Sequence, residues 1–254
     1  MTIILRYPLL VFAISFVGMW LSVWIGKFLS KRRSLEGGVR EDFVVIETSA
    51  LTLLGLIVGF SFSMALSRYD QRKNYEEAEA NAIGTEYLRA DLLPAADAAK
   101  ARVLLLKYLD QRIVFYSTRD EQEYWQCNAE TARLQAALWS AVQAPAVAAP
   151  TPVVPLAVAG MNDVLDSQGR TQGAWLNRIP IAAWVLMVTL AFASNALIGF
   201  GSRTAKAIAP LLLILPLVVS IAFLLIADID SPRWGFIQVV PENLLSLSQS
   251  LHAQ

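Results

Sequence analysis

Five small or hydroxyl-bearing residues, Thr48, Thr52, Gly55, Gly59 and Ser63, recur in steps of four, three, four and four. They lie in the apolar stretch VVIETSALTLLGLIVGFSFSMAL, residues 44–66. On a helix these positions share one face, and GLIVG places a GxxxG pair inside it. In a membrane such a face can do one of two things. It can let helix backbones approach closely, with hydroxyls bonding across the contact, or it can line a polar pore in an oligomer. Phe60 and Phe62 beside it are candidates for an apolar constriction. Glu47 lies about one turn inside the apolar segment that opens at Phe43, and a charge at that depth is costly. It either snorkels to the headgroups or stands near the mouth of a conduction path, where a ring of carboxylates favours cations.

A second pair of carboxylates, Asp228 and Asp230, closes the last apolar stretch in IADIDSPRWGF. Negative charge at a helix C-terminus opposes the macrodipole, so Arg233, another basic neighbour or a cation with oxygen ligands must hold them. They are ion-binding candidates, although two carboxylates alone make a poor metal site. Ser194 and Asn195 are polar groups within the third apolar stretch, and the amide needs a partner, most simply on another helix. The acidic run Glu76, Glu77 and Glu79 reads as a solvated helix face. Catalytic chemistry is missing. No HExxH, GxSxG, GxxxxGK[ST] or CxxC occurs, and one histidine, His252, cannot build a triad or a metal site. Cys127, the single cysteine, reads as a small core residue. The expectation is a protein that is not an enzyme and holds no metal or cofactor.

The elements that must position these residues follow from length and hydropathy. Of 254 residues 56% are hydrophobic and 17% charged, a balance that fits a multi-pass membrane protein with a sizeable polar part. Lysine plus arginine equals aspartate plus glutamate at 21 each, which gives no sign of nucleic-acid binding. Four segments are long enough to span hydrocarbon: Pro8–Phe28, Phe43–Leu66, Ile179–Phe200, entered through Pro180, and Ala207–Ala227, with Pro216 expected to kink it. The fold class is therefore an all-α membrane protein with four transmembrane helices in two hairpins. Residues 1–66 form the first hairpin, 67–178 a helical extramembrane insert, and 179–254 the second hairpin with a C-terminal tail.

Within the insert, residues 67–94 continue the second span as one helix, with Ala80, Ile83, Tyr87 and Ala90 as its apolar side and Arg68, Arg72 and Glu76 at i, i+4 spacing. Pro94 ends it. Further helices cover 96–118, with Val103, Leu106, Ile113 and Tyr116 at helical spacing, and 120–143. The four prolines of 144–155 predict a turn or polyproline linker, and 156–178 returns as a helix. The cluster Lys31, Arg32 and Arg33 in the first hairpin loop, with Arg203 and Lys206 in the second, places both loops in the cytoplasm. The termini, including Arg6, and the insert are then periplasmic in a bacterial inner membrane.

Three blocks carry a likeness to a known group. FSFSMALSRYDQRKNYEEAEANAIGTEYLRADLLP (60–94), LNRIPIAAW (176–184) and DIDSPRWG (228–235) resemble the bacterial bestrophin-like integral membrane proteins. The resemblance implies kinship with bestrophins, pentameric ion channels with four spans, a helical extramembrane region and a pore lined by the second span. It also implies a cytoplasmic insert, against the charge count. The arginine-phenylalanine-proline tripeptide and the acidic calcium clasp of the animal channels are missing. The reading that results is a homo-oligomeric, pentameric ion channel that meets lipid, copies of itself and inorganic ions. The alternative is a non-conducting scaffold or sensor whose insert binds a partner.

Overall fold

No proline falls between residues 9 and 93, and in the computed structural model this stretch carries two long helices. The structure describes residues 7–30, 37–148, 151–202 and 211–253. Helix α1 spans Pro8–Ser30, and α2 runs over Gly37–Arg89, a single helix of 53 residues. The second span and the charged stretch after it are thus one element, as the sequence predicts. A 3-10 turn at Ala90–Leu92 closes it ahead of Pro94, which cannot continue a helix. There follow α3 (Ala95–Ser117), α4 (Glu121–Ala148), α5 (Val154–Leu176), α6 (Ile181–Gly201), α7 (Ile214–Asp230) and α8 (Glu242–His252). Every regular element among the described residues is helical, and four helices are long and apolar enough to cross a membrane.

The chain divides into two compact units. The first holds Met1–Arg68 and Arg178–Ile237, the second Tyr69–Asn177 and Gln238–Gln254, so α2 contributes to both.

In the first unit α1 packs on α6 and α7. The α1–α6 contact is backbone against backbone. A Cβ on Gly26 would collide with the carbonyl oxygen of Ala196, and one on Gly199 with that of Val23. Small residues at these points are what lets the two helices approach. Asn195, fully buried on α6, donates its Nδ2 to the Ala191 carbonyl at 2.8 Å. That partner is its own preceding turn rather than another helix, because a short amide reaches back to the i−4 carbonyl. Trp184 of α6 meets Phe223 of α7 edge to face at 6.1 Å. Pro216 does not kink a span. Helix α7 starts at Ile214, after a 3-10 turn at Leu211–Leu213. The proline therefore sits in the first turn, where a backbone N–H has no intrahelical acceptor to lose. Arg6, Lys31, Arg32, Arg33, Arg203, Lys206 and the start of the fourth span lie outside the described residues.

In the second unit Ala80, Ile83 and Ala90 of α2 are buried against α3, α4, α5 and α8, with Tyr87 packed on the same core. On helix α3 the expected apolar side holds for Tyr116, which is buried, and for Leu106 and Ile113, which pack against the core, but not for Val103. Val103 is exposed, and Ala101, Leu105, Tyr108 and Arg112 are buried. The run Leu104–Leu106 masks the period, and an arginine does not read as a core position. Helix α4 runs through Pro145 to Ala148, where a proline linker over 144–155 was the expectation. Ala141, Val142 and Pro145 are buried together, and so close to a helix end only one backbone bond is forfeited. Helix α5 begins at Val154 with Pro155 in its first turn, a position that suits proline. Cys127 is buried, and its Sγ donates to the Gln111 carbonyl at 3.3 Å. Helix α8 is absent from the reading of the tail. Leu244, Leu247 and Leu251 at i, i+3 and i+7 are the signal that could have found it.

Candidate functional site

At about 100° per residue, Thr48, Thr52, Gly55, Gly59 and Ser63 fall within an arc of about 80° on α2. All five are exposed. Thr52 turns its hydroxyl back to the Thr48 carbonyl at 2.8 Å. A Cβ placed on Gly55 or on Gly59 would meet nothing within 4 Å. The opposite side of the same stretch is buried through Leu54, Ser61 and Ala65, about 140° away. This part of α2 therefore packs into its unit by one stripe, and the described residues leave the small-residue stripe uncovered.

The other candidates on α2 sort themselves by this geometry. Phe62 is exposed and follows Gly55 and Gly59 at i+7 and i+3, on their face. Phe60 is also exposed but turned about 100° from Gly59. Glu47 belongs to the inward side. Its Oε2 lies 3.4 Å from where a Cβ on Gly201, at the end of α6, would stand. Phe43, one turn before it, packs on Phe200 with ring centroids 5.5 Å apart.

Asp228 and Asp230 are buried and used by the polypeptide itself. Asp228 accepts the backbone N–H groups of Phe236 at 2.7 Å and Ile237 at 2.8 Å, which folds the segment after α7 back over the helix end. Asp230 accepts the Ile179 N–H through both oxygens, at 3.1 and 3.2 Å, and Arg68 from α2 at 3.5 Å. The N–H of Ile179 is placed by Pro180, the N-cap of α6. The basic partner that the helix C-terminus demands includes Arg68, whose distance along the chain hides it from a sequence reading. Among the described residues no three His, Cys, Asp or Glu side chains gather as metal ligands.

The second part of α2 overturns one expectation. Glu76 and Glu79 are buried, and only Glu77 of that run is exposed. Glu79 receives Nε and Nη2 of Arg112, the Tyr116 hydroxyl at 3.2 Å and the Thr171 hydroxyl at 3.0 Å. Burial opposes charge on Arg112, but Glu79 outweighs it and keeps the guanidinium protonated. Burial, with Glu79 alongside, pushes the Tyr116 phenol up. Arg112 also lies over the Phe115 ring, 4.2 Å from its centroid. Glu76 accepts the backbone N–H of Asn243 at 3.0 Å and of Leu244 at 2.9 Å, plus the Asn243 side-chain amide at 2.6 Å. It thereby caps the N-terminus of α8, where a carboxylate suits the dipole. Arg72 donates to the carbonyls of Ala174 and Asn177, each at 3.2 Å, at the end of α5. These roles were illegible because every partner comes from a different helix.

Four helices long and apolar enough to span hydrocarbon define a multi-pass helical membrane protein. The family model for the bestrophin-like domain matches residues 11–244, and the chain belongs to that family. The structure is similar to two variants of a bacterial bestrophin homologue from Klebsiella pneumoniae. One superposes with a TM-score of 0.67 at 11% identity, covering 97% of this chain and 98% of the other. The second gives 0.64 at 13% identity over 94% and 97%. None of the curated proteins matches the sequence significantly.

Proposed function

We propose that the chain is the subunit of a homo-oligomeric ion channel whose pore is lined by the first part of α2. The observation that carries this reading is the open stripe Thr48, Thr52, Gly55, Gly59 and Ser63, which is exposed among the described residues. A polar, close-approach face on a spanning helix needs an occupant other than hydrocarbon, and a water-filled axis between copies supplies one. Membership of the bestrophin-like family supports the assembly, with a pentamer as the number that kinship implies. In this reading α1 with α2, and α6 with α7, cross a bacterial inner membrane as two hairpins, and the second unit is extramembrane. Phe62 forms the apolar constriction in preference to Phe60, since it shares the glycine face. Glu47 lies off the lumen and acts on the mouth through its field. Asp228 and Asp230 hold the turn after α7 and are the weaker ion-contact candidates.

The deciding experiment is single-particle symmetry of the detergent-solubilised protein together with ion flux from liposomes. A ring with an axial lumen lined by α2, and flux that depends on the protein, would support the channel. Well-defined oligomers that pass no ion across pH and calcium would leave the scaffold reading, in which the same stripe is a packing seam. The side of the insert is tested separately, by maleimide labelling of Ser34→Cys and Asp97→Cys in a Cys127-free background. Protection at Ser34 with labelling at Asp97 in spheroplasts supports a periplasmic insert, and the reverse supports the cytoplasmic one.

A further inference from the structure

Glu86 of α2 takes no part in the proposed pore. It is 1% exposed, and neither of its carboxylate oxygens has a hydrogen-bond partner. Its Oε2 occupies the place where a Cβ on Gly160 of α5 would stand, and Nη1 of Arg89 lies 2.6 Å from the same point. The absence of a side chain at Gly160 is therefore what admits the carboxylate to the α2–α5 contact. The charged groups around it are few. Arg89, on its own helix, is 3.9 Å from Asp163 of α5 and so shares its charge. Asp91, in the 3-10 turn that packs on α5, pairs with Arg102 of α3 at 2.6 Å.

Glu79, about two turns earlier on α2, is equally buried and receives donors from Arg112, Tyr116 and Thr171. Glu86 receives none. A buried carboxylate without donors is costly when ionised and far less so as the neutral acid. Beside the Gly160 contact runs a groove of about 370 Å³, lined by Arg89, Thr85, Gly160 and Ser167, with Asp163 and Arg170 of α5 as its other charged groups.

We propose that Glu86 is a proton-binding site in the α2–α5 contact, neutral while Gly160 is seated against it, and that its ionisation loosens α5 from α2 at that point. Burial pushes the acid up, Arg89 pulls it back and Asp163 adds to the rise, bringing it to about 8 from an ordinary 4.5. The folded protein then binds more protons than the unfolded chain between those two values. Stability contributed by this group falls as pH rises through that window and levels off above it.

The test uses the full-length protein in detergent, comparing wild type with Glu86→Gln from about pH 5 to about pH 9. The amide keeps the shape and cannot ionise, so the thermal midpoint of Glu86→Gln should exceed that of wild type by a margin that grows with pH. Difference infrared spectra of wild type should lose a protonated-carboxyl band as pH passes about 8, and Glu86→Gln should lack that band. Midpoints that run parallel at every pH, or no such band, would overturn the assignment. If the variant fails to fold, amide hydrogen exchange over residues 157–164 of wild type decides. Exchange that accelerates beyond its intrinsic pH dependence near that value supports the site, and none overturns it.

Discussion

The two parts of α2, residues 43–68 and 69–89, are one unbroken helix with opposite economies of polar groups. The later part buries Arg72, Glu76 and Glu79, and each finds its partner inside the chain. The earlier part buries Leu54, Ser61 and Ala65 and leaves Thr48, Thr52, Gly55, Gly59 and Ser63 exposed among the described residues. Composition alone would suggest the reverse, with charge at the surface and small residues in a seam. Helix α1 supplies the control. Gly26 there meets the backbone of α6, whereas Gly55 and Gly59 meet nothing. Glycine in a spanning helix is thus a closed seam in one place and an open face in another, and only the facing backbone tells which.

The comparison breaks most violently at Glu79. Removing one member of a buried, hydrogen-bonded ion pair leaves the other uncompensated, a loss of about 3–5 kcal/mol. Glu79→Ala should lower the unfolding midpoint by that order, while Glu77→Ala, on the exposed side, stays within about 0.5 kcal/mol. Similar shifts from the two would mean that the later part of α2 is solvated after all.

Next in size is the pair Gly26→Ala and Gly59→Ala. The first forces a methyl into the α6 backbone, and overpacking of this kind costs about 1–3 kcal/mol. The second adds a methyl to open space and gains up to about 1 kcal/mol of helix propensity. Thermal midpoints should therefore move in opposite directions. A larger residue, Gly59→Leu, should leave the chain folded and reduce the oligomer or its flux. If Gly59→Ala unfolds the chain as readily as Gly26→Ala, the stripe is an internal seam and the contrast fails.

Glu76→Ala is smaller. It strips the cap from α8, an interaction worth about 0.5–2 kcal/mol in helix N-caps. Protease cleavage within 242–252 should accelerate while the remainder of the unit stays resistant, since Leu244 and Leu251 still favour docking.

How much of this was written in the sequence depends on whether a residue's partner is local. The four apolar helices, the fusion of span two with the charged stretch and the apolar side Ala80, Ile83 and Tyr87 are properties of period and length, and were legible. So was the demand that Asp228 and Asp230 be held, because the helix end itself creates it. The identity of the holder was not. Arg68 sits 162 residues from Asp230, and spacing carries no information across such a gap. The same reason explains Glu76 and Glu79, whose solvated appearance came from neighbours in sequence and whose burial comes from α3, α5 and α8. The stripe on α2 was visible as a stripe, but a face and its occupant are different facts. Only the empty space around Gly55 and Gly59 separated this stripe from the one that joins α1 to α6.

The faintest test concerns Glu47, which the fold turns toward Gly201 and away from the open stripe. A carboxylate ring lining a narrow lumen would change conductance strongly when neutralised, whereas a charge set behind the wall acts only through its field. Glu47→Gln preserves shape and hydrogen-bonding capacity, so assembly should be unchanged. In planar bilayers the reversal potential under a salt gradient should shift slightly toward anions. The shift should be clearest at low ionic strength, where a Debye length of about 30 Å at 0.01 M lets an offset charge be felt across a pore. At 1 M, with screening over about 3 Å, it should vanish. A shift that survives high salt would place Glu47 in direct contact with the permeating ion and would mean that α2 is rotated in the assembly relative to its inward stripe. No shift at any salt would leave Glu47 as a residue that anchors α2 beside α6 and nothing more.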